Sequence, residues 1–255
     1  MSALVSPAPE QRFSDRVENY VRYRPSYPQE IITLLQREAA LTPHSIIADV
    51  GSGTGISAEL FLRAGGTVHA VEPNREMREA AERLLAPHPN FHSVNGSAQA
   101  TTLPDHSMDF IVAAQAFHWF NTPETRAEFT RVLKPGGIVV LIWNERKLDA
   151  TPFLRAFEQL LLTFGTDYTA IRHENINAAA LDSFFSGAYE TFNFANEQHF
   201  DFEGLKGRLL SSSYAPAAGQ PGHDEMIAEL QRIFGDCQVS GQVCFEYDTR
   251  VHVGH

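Results

Sequence analysis

From residue 45 onward the chain alternates between short, unbroken apolar runs and longer stretches in which apolar side chains return every third or fourth position. The runs at 45–50, 67–71, 108–113 and 138–143 are too short for helices and end in glycine or polar residues, so they predict buried strands. A weaker run at 91–94 predicts another. Between them, 56–64, 74–85 and 124–133 carry the helical period. Strands that alternate with helices predict a mainly parallel sheet flanked by helices, an α/β fold. Lys134-Pro135-Gly136-Gly137 predicts a turn feeding the strand at 138–143.

Past Trp143 the pattern loosens. An amphipathic helix is predicted at 151–164, a strand with alternating Phe at 191–202, helices at 203–210 and 225–234, and an antiparallel closing strand at 242–253. The intervening segments, about 145–188 and 203–239, are long for connections in this fold class. Insertions of this kind sit over the carboxyl edge of the sheet, where ligands bind. They predict a substrate-side cap on one domain spanning 45–255, rather than a second domain.

Composition narrows the partners. With 255 residues and 43% hydrophobic content, a sizeable core is expected. Twenty Lys and Arg against 31 Asp and Glu give a formal charge of −11. The nearest thing to a basic cluster, Arg12, Arg16, Arg22 and Arg24, is interleaved with acids and aromatics. A phosphate backbone asks for a basic face, so nucleic acid is not the expected partner. The first ten residues lack a secretory pattern, and no apolar run is long enough for a membrane helix. Cys237 and Cys244 are too few for a disulfide scaffold, and are expected to be two reduced thiols, one near a helix end and one in a strand. A cytoplasmic location fits these features.

The chemistry gathers at Asp49-Val50-Gly51-Ser52-Gly53-Thr54-Gly55, between a predicted strand and a predicted helix. Glycines there allow a sharp turn and close approach of a ligand to the backbone, while the helix start supplies free N–H groups. The spacing is G-x-G-x-G, and Ile56 stands where a dinucleotide fingerprint wants its third Gly or Ala. No Gly-Lys-Ser/Thr follows, which excludes a P-loop. Asp49 would repel a pyrophosphate, but it can hold a cationic amino acid moiety directly or through water. Glu72 ends the next strand, where an acid accepts ribose hydroxyls. The ligand that fits is a nucleoside with a ribose diol and a positive tail, which describes S-adenosylmethionine. A bare tight turn explains neither Asp49 nor Glu72.

Residues 47–55 resemble the first motif of class I methyltransferases. Val71-Glu72-Pro73-Asn74 followed by Met77 is similar to the family's ribose and adenine segment, although a Met at helical spacing also serves core packing. Asn95-Gly96-Ser97-Ala98 sits where the family contacts the adenine edge, with Ser97 in place of the usual Asp. Residues 132–137 resemble the turn before the fifth strand. The resemblance implies a Rossmann-like, mostly parallel seven-stranded sheet whose last strand is antiparallel, with helices on both faces. It implies S-adenosylmethionine as cofactor and S-adenosylhomocysteine as product. The cofactor set it implies is Asp49, Gly51, Ser52, Gly53, Thr54, Gly55, Glu72, Pro73, Met77, Ser97 and Ala98, with Gln115 and Ala116 from the loop after the fourth strand.

That loop reads Ala113-Ala114-Gln115-Ala116-Phe117-His118-Trp119-Phe120, and resembles the trans-aconitate methyltransferase-like subgroup, which acts on small carboxylic acids. Residues 13–20 and 23–28 resemble that subgroup's N-terminal lid, so 1–44 are expected to form lid helices, with Tyr20 and Arg24 closing over the cofactor. His118 and Trp119 are the candidate catalytic residues. His118 can act as a base, donate to the substrate, or pack beside Trp119. Trp119 can face the sulfonium, wall off solvent, or pack in the core. Arg146, Arg208 and Tyr214 are candidates for selecting an acidic substrate.

Absent motifs narrow the reaction further. The Asn/Asp-Pro-Pro-Tyr motif of nucleic-acid amino methylation and the Pro-Cys nucleophile of cytosine chemistry are both missing, and no residues have metal-ligand spacing. His173-Glu174 is expected to be a surface pair. The expected activity is therefore O-methylation of a small carboxylic acid. Methylation of a protein or tRNA by the same fold is the near alternative. An NAD(P)-dependent oxidoreductase and a non-catalytic adenosyl-binding protein are the alternatives from other classes.

Overall fold

A computed structural model describes residues 21–166, 168, 178–185 and 188–255. Seven strands form one sheet: β1 (Ile46–Val50), β2 (Thr67–Val71), β3 (Phe91–Val94), β4 (Met108–Ala114), β5 (Leu133–Arg146), β6 (Tyr189–Phe200) and β7 (Val243–Gly254). Their order is β3-β2-β1-β4-β5-β7-β6. β7 pairs antiparallel with both β5 and β6, while β1 to β5 pair in parallel. This is the Rossmann-like sheet the sequence implies, with β7 as its antiparallel member.

Helices α1 (Glu30–Glu38), α2 (Ile56–Arg63), α3 (Arg75–Leu85) and α4 (Pro123–Val132) flank the sheet. Two of them, α3 and α4, begin where a short polar side chain takes up a free backbone donor of the first turn. Asn74 accepts from the Met77 amide to start α3, and Thr122 accepts from Thr125 to start α4, with Pro123 at the first helical position. The two sheet faces divide the core by simple alternation. Val140 and Ile142 pack with Ile47, Val112 and Phe61 on one face, whereas Val139, Leu141 and Trp143 pack with Ala48, Ile111 and Phe129 on the other. Strands buried on both faces read as unbroken apolar runs, which is why the central ones are visible in the sequence.

Further helices among the described residues are α5 (Pro152–Phe164), α6 (Ala178–Phe185), α7 (Phe202–Leu210) and α8 (His223–Cys237). Helices α5, α7 and α8 share a third core with Val243, Phe245 and Tyr247 of β7. Helix α6 packs elsewhere, placing Leu181, Phe184 and Phe185 in the core that holds Phe117 and Trp143. The insertion between β5 and β6 is thus split between the third core and the sheet face.

Three boundaries differ from the sequence expectation. Lys134 to Gly137 do not end a loop: β5 begins at Leu133, and its register jumps from Met108↔Leu133 to Phe110↔Ile138. Gly136, at φ +78°, carries this excursion. β6 spans Tyr189–Phe200, because Asp201 accepts from the Gly204 amide and starts α7 at Phe202. Helix α8 is longer at both ends than the periodicity of 225–234 indicates.

Candidate functional site

In the sheet order, β1 and β4 lie side by side while their connections leave in opposite directions. Such a switch point opens a crevice beyond the strand ends. Here the crevice is a cavity of about 370 Å³, floored by the β1–α2 loop and by the loop after β4. That volume is within the range of pockets for cofactor-sized ligands, roughly 300–1,000 Å³.

The β1–α2 loop takes its shape from glycine. Gly51 has φ +70°, and a Cβ there would lie 2.7 Å from the Ala116 Cβ, so the two loops touch backbone to methyl. Gly53 has φ +55°, and a Cβ there would meet nothing within 4 Å; this residue lines the open cavity. The Gly51 amide donates to the Val71 carbonyl at 2.9 Å, which fastens the turn to the end of β2.

Glu72, at that strand end, holds both walls together. Its Oε2 accepts from the Gly53 amide at 2.9 Å and its Oε1 from the Asn74 amide at 2.8 Å. It is 8% exposed, and it lines the cavity with Pro73 and Met77. Ser97 and Ala98 line the same wall.

Asp49 lies behind the loop and is not among the cavity-lining residues. Its Oδ2 accepts from the Ser57 hydroxyl at 2.7 Å, while Oδ1 has no partner among the described residues. Burial pushes its carboxyl up to about 7; the charge of Glu72 adds to the rise, and the bonds from Ser57 and the Ala58 backbone oppose it. The buried hydroxyls of Ser52 and Thr54 also lack partners among the described residues. Buried polar atoms left unsatisfied require an explanation, and a polar ligand or water at the loop supplies one. Ser52, Thr54 and Gly55 stay behind the turn, as Asp49 does.

The opposite wall begins at Gln115, held at φ +56°. Its amide nitrogen Nε2 donates to the Asn144 carbonyl at 2.9 Å, fixing the loop to β5. A short 3-10 turn over Phe117–Trp119 follows. Phe117 is fully buried against Phe120, Trp143 and Phe184. That anchor leaves Ala116, His118 and Trp119 on the cavity wall. The His118 and Trp119 rings lie 4.6 Å apart, and both imidazole nitrogens are shielded from solvent.

One part of the wall is cationic. Arg24 lines it and donates from Nη2 to the Ser211 carbonyl at 3.1 Å. Arg208 is buried: its Nη1 lies 3.4 Å from the Ser212 hydroxyl and its guanidinium 5.8 Å from the centre of the Phe245 ring. Arg146 is bonded to Glu158 and to the Tyr168 hydroxyl, so its charge is matched within the protein. Tyr214 completes this part, in edge contact with Tyr168. Tyr20 and the pair His173-Glu174 lie outside the described residues.

Sequence reasoning missed Asn144. It is buried, lines the cavity, accepts from Thr249 and Asn196, and donates to the Ser26 carbonyl at 3.1 Å. It ties the segment carrying Arg24 to the sheet. The available signal was a polar residue directly after the apolar run that ends at Trp143.

Comparison with known proteins agrees with the fold. Residues 48–141 match the profile of a methyltransferase domain. An uncharacterised methyltransferase-like protein of Schizosaccharomyces pombe is 33% identical over 156 residues, covering 61% of this chain and 59% of that protein. A malonyl-[acyl-carrier protein] O-methyltransferase of Halalkalibacterium halodurans is 32% identical over 111 residues, covering 41% of each. The matches therefore span little more than half of such relatives at best. The solved structure of a putative type II methyltransferase from Anaeromyxobacter dehalogenans shares the fold, with a TM-score of 0.64 at 21% identity, over 91% of this chain and 98% of that one.

Proposed function

We propose that this chain, which carries a methyltransferase domain over residues 48–141, binds S-adenosylmethionine in the switch-point cavity and methylates a small carboxylic acid on oxygen. The observation that carries the reading is Glu72, bonded to the Gly53 amide across the mouth of a cavity beside the buried, half-satisfied Asp49. These residues suit a nucleoside with a cationic tail. Glu72 would accept from the ribose hydroxyls. Asp49 would favour the ammonium group, directly or through water. Met77, Ser97 and Ala98 would bound the adenine.

When bound, the cofactor supplies an electrophilic methyl carbon on a sulfonium. The chain's residues then have to align the acceptor and exclude water, since in-line displacement depends chiefly on orientation. Trp119 and Phe120 line the same cavity as the glycine loop and the arginines. Arg24 would close over the cofactor, and Arg208 would hold the acceptor carboxylate by charge-assisted hydrogen bonds. Such an acceptor is ionised at neutral pH and needs no general base. His118 accordingly serves as a positioning residue. The malonyl group in the name of the Halalkalibacterium relative is likewise a carboxylic acid, which favours this acceptor class.

Calorimetric titration with S-adenosylhomocysteine, followed by assays on a panel of carboxylic acids with and without Arg208, tests the proposal in two steps. Absence of binding to the wild type removes the cofactor assignment. Binding with methylation only of amines or phenols removes the carboxylate assignment.

A further inference from the structure

On the strand pair β6–β7, away from the cavity, three side chains with metal-binding atoms converge. His199 on β6 is directly opposite Cys244 on β7, and Glu197 lies two residues before His199, on the same face of the strand. The His199 Nε2 is 3.2 Å from the Glu197 Oε1 and 3.9 Å from the Cys244 Sγ, and all three atoms lie within 4.8 Å of one another. Tetrahedral zinc, with Zn–N near 2.0–2.1 Å and Zn–S near 2.3 Å, sets neighbouring ligand atoms about 3.3–3.6 Å apart. Small side-chain rotations therefore bring these three atoms into a ligand triangle.

We infer that Glu197, His199 and Cys244 form a surface site for a divalent transition metal of the zinc type, with the fourth position open to water. The donor set decides the class: thiolate and imidazole favour zinc over the all-oxygen chemistry of magnesium or calcium. A cation at the common centre would engage all three ligand atoms at once. The surroundings favour a cation too. Glu246 stands opposite Glu197, and Asp248 follows on the same face, with Lys147 as their counter-charge, 3.6 Å from each.

His199 and Cys244 are 45 residues apart in sequence, so no local spacing announces the site. Val243, Phe245 and Tyr247 alternate onto the opposite face, toward the third core. The metal would thus brace β6 against β7 and take no part in the cavity's chemistry. The inference is independent of methyl transfer.

Cobalt(II) titration of the reduced full chain is the test, because a thiolate ligand gives a near-ultraviolet charge-transfer band. The expected result is a band saturating at one equivalent in the wild type and in Cys237→Ser, and displaced by zinc. It is absent in Cys244→Ser, and the apparent affinity falls at least ten-fold in His199→Gln, an exposed substitution that leaves the circular dichroism unchanged. No band in the wild type, or one that persists in Cys244→Ser, overturns the assignment.

Discussion

The Glu72 carboxylate accepts a 2.9 Å hydrogen bond from the Gly53 amide, joining the end of β2 to the turn after β1. Both of its oxygens are bonded to backbone N–H groups, the second to Asn74. An acid at this point sets loop geometry and presents charge to the cavity together. Glu72→Ala is expected to weaken S-adenosylhomocysteine binding at least ten-fold, about 1.4 kcal/mol. It should also lower unfolding free energy by about 2 kcal/mol, the scale of hydrogen bonds to a charged group. Glu72→Gln should lose both as well, because its NH2 would face a backbone donor. Calorimetry and urea denaturation on the same preparations check this; unaltered binding in both variants would remove Glu72 from the site.

Two glycines in one loop should fail in different ways. A Cβ on Gly51 would sit 2.7 Å from Ala116, so Gly51→Ala combines positive-φ strain with a clash against the neighbouring loop. The expected loss of stability is about 3 kcal/mol, combining left-handed strain of about 1–2 kcal/mol with overpacking of similar size. Gly53 has open space at its Cβ position, so Gly53→Ala should cost only the strain, about 1 kcal/mol. Its new methyl group would enter the cavity, and ligand affinity should fall by more than stability does. Melting curves paired with calorimetry distinguish the two patterns.

Asp49 gives a pH dependence with a definite sign. Its carboxyl is raised from 3.8 to about 7 in the fold, so the protein favours the protonated form. The contribution to stability is full below 3.8 and is lost as pH rises to about 7. Above that, the ionised group is a buried charge that a cationic ligand offsets. S-adenosylhomocysteine, which keeps the ammonium group, should therefore bind more tightly as pH rises from 6 to 8. Asp49→Asn should flatten that dependence, weaken binding at pH 8, and leave the ligand-free protein no less stable there. A binding profile unchanged in the variant would mean that Asp49 does not sense the ligand.

Local chemistry is what the sequence makes legible. The glycine loop, Glu72 and the buried strands β1, β4 and β5 are each written in contiguous residues, and strands covered on both faces show as unbroken apolar runs. Edge strand β6 is half exposed along its length, so its true start at Tyr189 carries little signal. Features made by register stay hidden: Gln115 meets Asn144 across β4 and β5, and Cys244 meets His199 across β6 and β7. Arg208 is readable as a cation in an insertion, but its burial beside Phe245 comes from packing of α7 on β7.

That burial makes Arg208 the sharper probe of acceptor charge. Arginine is seldom buried unless it has partners, and Arg208 has hydroxyls of Ser211 and Ser212 on one side and the Phe245 ring on another. Arg208→Met keeps much of the aliphatic contact with Phe245 while removing the cation. For an acidic acceptor, loss of a charge-assisted contact predicts a rise in KM of at least ten-fold, on the order of 1.4 kcal/mol. S-adenosylhomocysteine affinity should stay within two-fold, roughly 0.4 kcal/mol, because Arg208 is outside the expected cofactor set. Arg208→Lys should recover part of the loss, since it restores charge without the planar fork. If KM for the acid is unchanged in Arg208→Met while melting temperature drops, Arg208 is a packing residue and takes no part in selecting the acid.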